Sequence, residues 1–169
     1  MPRIIFNRCD YLAGLVRGKK VLDVGCVEHS FENSLKKGPR WLHRRIKENA
    51  ASVLGLDYET AEVLKMQQAG YNVRQANAEN FDLSEKFDLI VAGELLEHLS
   101  NPGKFLECAQ RHLNEGGQLV ITTPNANCMI YFLENLLLGR EIDNTDHVCL
   151  YSPATIKTLL SRHGFVIEM

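Results

Sequence analysis

The sequence predicts an α/β fold: a three-layer sandwich with helices on both faces of a doubly wound, mainly parallel sheet. Three observations carry this. Short apolar, β-branched runs alternate with longer stretches of helical periodicity. Two of those runs, Phe87–Ala92 and Gly117–Thr123, read as strands buried on both faces. The chain has 169 residues, 45% hydrophobic and 24% charged, which suits one domain able to bury a core without disulfides or a structural metal.

The elements follow in order. Tyr11, Leu12, Leu15 and Val16 form an apolar stripe, so a helix precedes the first strand, Lys20–Val24, which stops at Gly25. Trp41, Leu42 and Ile46 fit a short helix opened by Pro39 near its first turn. Ser52–Asp57 is the second strand. Ala61, Val63, Leu64, Met66 and Ala69 repeat helically and stop at Gly70, a C-cap signal. Tyr71–Arg74 is a weak third strand, and Phe87–Ala92 a fourth that ends at Gly93. Phe105, Leu106, Ala109 and Leu113 make a helix after Asn101-Pro102 that stops at Gly116-Gly117. The fifth strand, Gly117–Thr123, ends at Pro124. Met129, Ile130, Phe132, Leu133, Leu136 and Leu137 form a strongly apolar helix, with Phe132 expected in the core. Ser152-Pro153 caps a last helix through Ile156, Leu159 and Leu160 to Gly164, and Phe165–Ile167 is a sixth strand candidate. There is no internal repeat or low-complexity linker, so residues 1–169 are expected to form a single domain.

Charge excludes some partners. There are 19 Lys and Arg against 21 Asp and Glu, a formal charge of −2, which gives no footprint for nucleic acid or an anionic membrane. No run approaches the ~18–20 apolar residues of a membrane span. The apolar stretches before Val21 are broken by Arg3, Arg8, Asp10 and Arg17, so no signal peptide is expected. Five cysteines are present, and none pair as C-x-x-C. Reduced thiols in a cytoplasmic protein are expected.

Ligands of such sheets bind beyond the carboxyl ends of the strands. Gly25 lets the backbone turn and lets a ligand approach closely. Asp57, at the end of the second strand, is a carboxylate placed to accept two bonds from a ribose diol. Alone, it also reads as a helix N-cap. No G-x-x-x-x-G-K-[ST] and no G-x-G-x-x-G are present, so a nucleoside ligand without a pyrophosphate suits this site better than a nucleoside triphosphate or a nicotinamide dinucleotide.

Five segments, in order, carry a family resemblance. They are Val21-Leu22-Asp23-Val24-Gly25-Cys26, Val53-Leu54-Gly55-Leu56-Asp57, Asn77-Ala78-Glu79-Asn80, Phe87 to Leu99 with Asn101-Pro102, and Gly116 to Asn125. Together they resemble the motifs of class I S-adenosylmethionine-dependent methyltransferases of the small-molecule type, similar to those of ubiquinone biosynthesis. The resemblance implies a Rossmann-like methyltransferase fold with S-adenosylmethionine as cofactor. It implies that the backbone at Gly25 and Cys26 faces the methionine part, that Asp57 holds the ribose, and that Asn77 and Ala78 meet the adenine. Gly93 would line the methyl-transfer channel. Asp23, Tyr58 and Glu94 join the implied cofactor-binding residues.

Two departures stand out. After Cys26 the family's further glycines are replaced by Val27-Glu28-His29-Ser30. Thirty residues, 27 to 56, separate Cys26 from Asp57, longer than is usual. Glu28 is read either as a partner of the cofactor's ammonium group or as solvent-facing, and His29 as loop surface or site lining. The basic insertion Asn33–Arg45, with Lys36, Lys37, Arg40, Arg44 and Arg45, is expected to be a solvated helical face.

Glu94, Glu97 and His98 would share one face if helical. They are read as metal-free site lining, against a divalent-cation site or structural packing. His98 is the expected general base, with His147, which follows Asp143-Asn144-Thr145-Asp146 in a polar loop, as second catalytic candidate. Tyr131 and Phe132 are weighed as a wall of the acceptor pocket. The expected function is methyl transfer to an O or N atom of a small-molecule or glycan-type acceptor. The alternative is a non-catalytic protein of this fold that binds an adenosyl ligand.

The resembling fold usually has seven strands, against six candidates here. Either a partner chain supplies the last strand, or Phe165–Met169 takes an edge alone, or the sequence stops short of it. An open edge favours pairing, so a homodimer is expected, with no nucleic-acid or membrane partner.

Overall fold

The computed structural model describes residues 7–139 and 144–168. Five strands form one sheet: β1 (Lys20–Val24), β2 (Ser52–Asp57), β3 (Val73–Gln75), β4 (Phe87–Gly93) and β5 (Leu113–Thr122). Their order is β3-β2-β1-β4-β5, and every pairing is parallel. The order reverses at β1, which lies between β2 and β4. The α/β expectation holds, and among the described residues the sheet lacks a seventh strand, as expected.

Alternation along the central strands sorts side chains to two faces. Leu22, Val24, Ile90 and Ala92 face α5 (Pro102–His112) and α7 (Pro153–Arg162), where Phe105, Leu106 and Ala109 are buried. Val21, Leu89 and Val91 face α1 (Arg8–Leu15) and α3 (Leu42–Asn49), against Leu12, Val16, Leu42 and Ile46. A third cluster joins Cys26, Phe31, Trp41, Val63, Met66 and Val73 under α2 (Phe31–Lys37) and α4 (Thr60–Gln68). Strands buried on both faces explain why β1 and β4 read as near-continuous apolar runs.

The sequence-based boundaries need four corrections. Phe165–Ile167 is not a strand. The Phe165 N–H donates to Leu160 O at 3.1 Å, and Gly164, at φ 75°, donates to Ser161 O at 3.1 Å. This pair of bonds closes α7 as a Schellman cap. It takes the donor a sheet ladder would need and leaves Val166 92% exposed. Met169 lies outside the described residues. Pro39 sits in a 3-10 turn, Gly38–Arg40, and α3 begins only at Leu42. The segment before β5 is strand from Leu113, with a register shift between Phe87 and Leu89 opposite. In α6 (Met129–Leu138), Phe132 is 66% exposed, so it is not core.

The basic insertion is two-sided. Lys36, Lys37, Arg40 and Arg44 are exposed, as expected, but Ser34, Trp41, Leu42 and His43 are buried. Its helices therefore cover the sheet as well as facing solvent.

Leu89 lies fully buried on the central strand β4, against the α1–α3 layer. Leu89→Ala should lower the unfolding free energy by about 2–5 kcal/mol, the range for a leucine-sized cavity. Chemical denaturation followed by circular dichroism measures this, and a loss below about 1 kcal/mol would show that the layer collapses to fill the space.

Candidate functional site

The carboxyl ends of the strands open onto one cleft of about 860 Å³. Its walls include the eleven residues expected to bind the cofactor or to catalyse: Asp23, Gly25, Cys26, Asp57, Tyr58, Asn77, Ala78, Gly93, Glu94, His98 and His147. The parallel register brings them together from four strand ends and one loop.

The turn after β1 needs glycine twice over. Gly25 has φ 78°, and a Cβ there would meet Leu95 Cδ1 at 3.2 Å. The N–H groups of Gly25 and Cys26 both donate to Leu56 O, at 2.8 and 3.2 Å. Beyond them, side chains hold the loop where further glycines are absent. The Val27 N–H donates to Asp57 Oδ2 at 2.9 Å, and the Glu28 N–H to Ser34 Oγ at 3.1 Å. His29 carries the left-handed turn at φ 58°, and Ser30 caps α2. Glu28 forms an ion pair with Lys37, so the loop's carboxylate is tied to the insertion.

Asp57 is buried at the end of β2. Burial pushes its carboxyl up, and N–H groups of Val27, Glu59 and Tyr58 pull it back. It is not an N-cap: α4 is capped by Glu59 without a side-chain bond, and Asp57 Oδ1 instead accepts the Glu59 N–H at 3.2 Å. Tyr58 stands 67% exposed at the rim. The Cys26 side chain turns into the third core cluster. Burial, then Asp23 and Asp57, push its thiol well above its ordinary value.

Asp23 lines the cleft and is also bonded from within the fold. Its Oδ2 lies 2.8 Å from Nδ1 of His43, and both residues are buried. Its carboxylate is thus already engaged by a residue that no motif marked.

After β3, Asn77 Oδ1 accepts the Glu79 N–H at 2.8 Å, so it makes its turn and lines the cleft as well. Glu79 in turn accepts the Asn101 N–H at 2.7 Å and fixes this loop to the start of α5.

The segment after β4 is not the helix its spacing suggested. Glu94 has φ 52°, and only Leu96–His98 form a 3-10 turn. Glu94 is therefore split from the others and pairs with Arg8 of α1, which also donates to Thr122 Oγ1 at 3.1 Å. Glu97 is fully buried. Its Oε2 accepts from Thr123 Oγ1 at 3.0 Å, while Oε1 has no hydrogen-bond partner. Burial pushes its carboxyl up. The Glu97 carbonyl accepts the Val148 and Cys149 N–H groups at 2.7 and 3.3 Å, which fastens the 144–149 loop to the cleft. His98 and His147 then meet edge to face, with ring centroids 4.8 Å apart. Ligating atoms of Glu97, His98 and His147 lie within 4.8 Å of one another, a set whose chemistry suits a divalent cation or proton transfer without one. Asp143 lies outside the described residues.

Reading motifs gave no cleft role to Arg8, Lys37, Trp41 and Leu42, all of which line the cleft. Arg8 stands outside every motif, and Lys37 belongs to the basic run that reads as a solvated face. Trp41, the single tryptophan, was a signal: it is fully buried and donates through Nε1 to Cys26 O at 3.1 Å. Among the described residues, no helix is long and apolar enough to cross a membrane.

Comparison with known proteins agrees with this geometry. The methyltransferase-domain family matches residues 1–168. A ubiquinone biosynthesis O-methyltransferase of Pseudomonas fluorescens is 33% identical over 143 residues, covering 80% of this chain and 56% of the relative. The chain thus spans about half the length of the curated relatives it matches. In fold it is similar to a SAM-dependent methyltransferase from Thermotoga maritima, with TM-score 0.72, 15% identity, and coverage of 95% of this chain and 70% of that one. An S-adenosylmethionine-dependent methyltransferase from Mesorhizobium loti gives TM-score 0.60 at 22% identity, covering 91% and 77%. With five motifs in order on a parallel sheet, and a family match over nearly its whole length, this chain belongs to the class I S-adenosylmethionine-dependent methyltransferases.

Proposed function

We propose that this chain transfers the methyl group of S-adenosylmethionine to an oxygen atom of a small organic acceptor. The observation that carries it is the convergence of Gly25, Asp57, Asn77, Ala78 and Gly93 on one cleft at the carboxyl ends of parallel strands. The O-methyltransferase relatives support oxygen as the acceptor atom.

The residues present fit the cofactor. A carboxylate at Asp57 suits a ribose diol, and the Gly25 turn admits a ligand against the main chain. Asn77 and Ala78 would meet the adenine, and Gly93, with no side chain, leaves room beside the reacting atoms. When bound, S-adenosylmethionine supplies a sulfonium-activated methyl group.

The chain's own residues hold donor and acceptor in line, and this positioning is the main source of rate. His98 removes the acceptor's hydroxyl proton. Its Nδ1 lies 3.1 Å from the Asp146 carbonyl, which can only accept. That places the proton on Nδ1 and leaves Nε2 as the basic nitrogen. His147 packs edge-on against this ring and holds its plane.

Calorimetric titration with S-adenosylhomocysteine should show binding, and no binding would overturn the methyltransferase reading. Asp57→Ala should weaken it by about tenfold or more, since each lost bond to a charged group is worth roughly 1.5–3 kcal/mol. Unchanged affinity would remove Asp57 from the ribose site.

The pH dependence has a fixed sign. Burial raises the Asp57 carboxyl, so it takes up a proton at higher pH than an ordinary aspartate as pH falls. S-adenosylhomocysteine affinity should therefore decline on acidification before exposed carboxylates titrate. Asp57→Asn should abolish that decline, and an identical decline in the variant would place the titrating group elsewhere.

A further inference from the structure

We infer that His43 is a positioning residue for the cofactor: it orients the Asp23 carboxylate to receive the α-ammonium group of S-adenosylmethionine. This inference rests on the methyltransferase reading and deepens it.

Three elements build the arrangement. Asp23 lies on β1, one residue before the strand's end, and lines the cleft. His43 comes from α3, in the long segment between β1 and β2, and approaches Asp23 with Nδ1 at 2.8 Å from Oδ2. Gly55 of β2 is the register partner of Asp23. A Cβ at Gly55 would fall 2.8 Å from Cε1 of His43, so the strand is bare backbone where the ring passes. Trp41 and Tyr71 flank the ring, with centroids 5.7 and 5.8 Å away. One glycine and two aromatic rings thus fix the imidazole.

Stability alone does not account for this pair. A buried carboxylate and imidazole are often no better for folding than an apolar pair of similar volume. Here the arrangement is also incomplete, since His43 Nε2 is buried without a hydrogen-bond partner. The site instead has an electrostatic rationale. The cofactor's methionine part carries an ammonium cation, and the Gly25–Cys26 backbone is where that part is expected. Two other carboxylates at this loop have different tasks: Asp57, ordered by the Val27 and Glu59 N–H groups, is assigned to the ribose, and Glu28 is paired with Lys37. Asp23 has one oxygen held by His43, which fixes the carboxylate's plane and leaves the other oxygen to the ligand.

The test compares two probes. S-adenosylhomocysteine carries the ammonium group, and 5′-methylthioadenosine keeps the nucleoside and thioether without it. Calorimetry on the full chain should show His43→Phe weakening S-adenosylhomocysteine by at least about tenfold, the loss expected for a charge-assisted bond. The same variant should leave 5′-methylthioadenosine within about twofold, a range inside ordinary additivity error. Asp23→Asn, a near-isosteric change, should reproduce this split, and it keeps the test usable if His43→Phe fails to fold. The double variant should bind S-adenosylhomocysteine no more weakly than Asp23→Asn alone, because His43 acts through Asp23. Equal weakening of both probes would make the pair structural and overturn the inference. So would an unchanged S-adenosylhomocysteine affinity in Asp23→Asn. Failure of the wild-type chain to bind S-adenosylhomocysteine would instead strike the methyltransferase reading itself.

Discussion

Everything at the cleft depends on the parallel run of β1 with both of its neighbours. β1 pairs with β2 on one side and β4 on the other, and strand order reverses there. The connection after β1 therefore runs to β2 on one side, and the connection after β4 runs to β5 on the other. Two loops cannot cover the same strand end, so the backbone beyond Val24 stays open. A compact turn at Gly25 keeps the gap clear: its φ of 78° disfavours any side chain, and a Cβ there would crowd Leu95 Cδ1 at 3.2 Å.

The loop after that turn shows how one physical requirement can be met by different residues. Backbone N–H groups near a ligand must be ordered before it arrives, or binding must order them at an entropic cost. Glycines permit the tight path but add no restraint. Here Asp57, Ser34 and Ser30 hold Val27, Glu28 and Asn33 through side-chain oxygens. The left-handed residue is a histidine rather than a glycine, a conformation that is uncommon for non-glycine residues and is maintained by the bonds around it.

Much of this was legible in the sequence, and the limits have physical causes. β1, β2 and β4 announced themselves because strands buried on both faces admit few polar residues. The cleft residues at strand ends followed from the same pattern, joined to the family motifs. Three features did not. The Phe165–Ile167 run has strand-like composition, but Gly164 commits the Phe165 N–H to a helix cap, and composition does not record where a donor goes. Glu94, Glu97 and His98 have helical spacing, yet the positive φ at Glu94 breaks the turn and sends its carboxylate to Arg8, 86 residues away. His43 sits among basic residues that read as a solvated face. Its burial depends on Gly55 and Asp23, which only the folded chain brings beside it.

The long segment between β1 and β2 therefore has two physical tasks, and the second limits how it can vary. Its first task is to cover the sheet, through Leu42 and Ile46 against the α1 layer, and apolar residues of similar volume could do that equally well. Its second task is at the cleft, where Trp41 donates to the Cys26 carbonyl and His43 reaches Asp23. Those contacts need particular donors at particular depths, and Gly55 must stay bare to admit one of them. A change in the length of α2 or in the 3-10 turn before α3 would shift both donors together. The helix would still find an apolar face to pack on, while the carbonyl of Cys26 and the carboxylate of Asp23 would lose their partners. Insertions in this segment are thus constrained by the polar contacts beneath it more than by the core it covers.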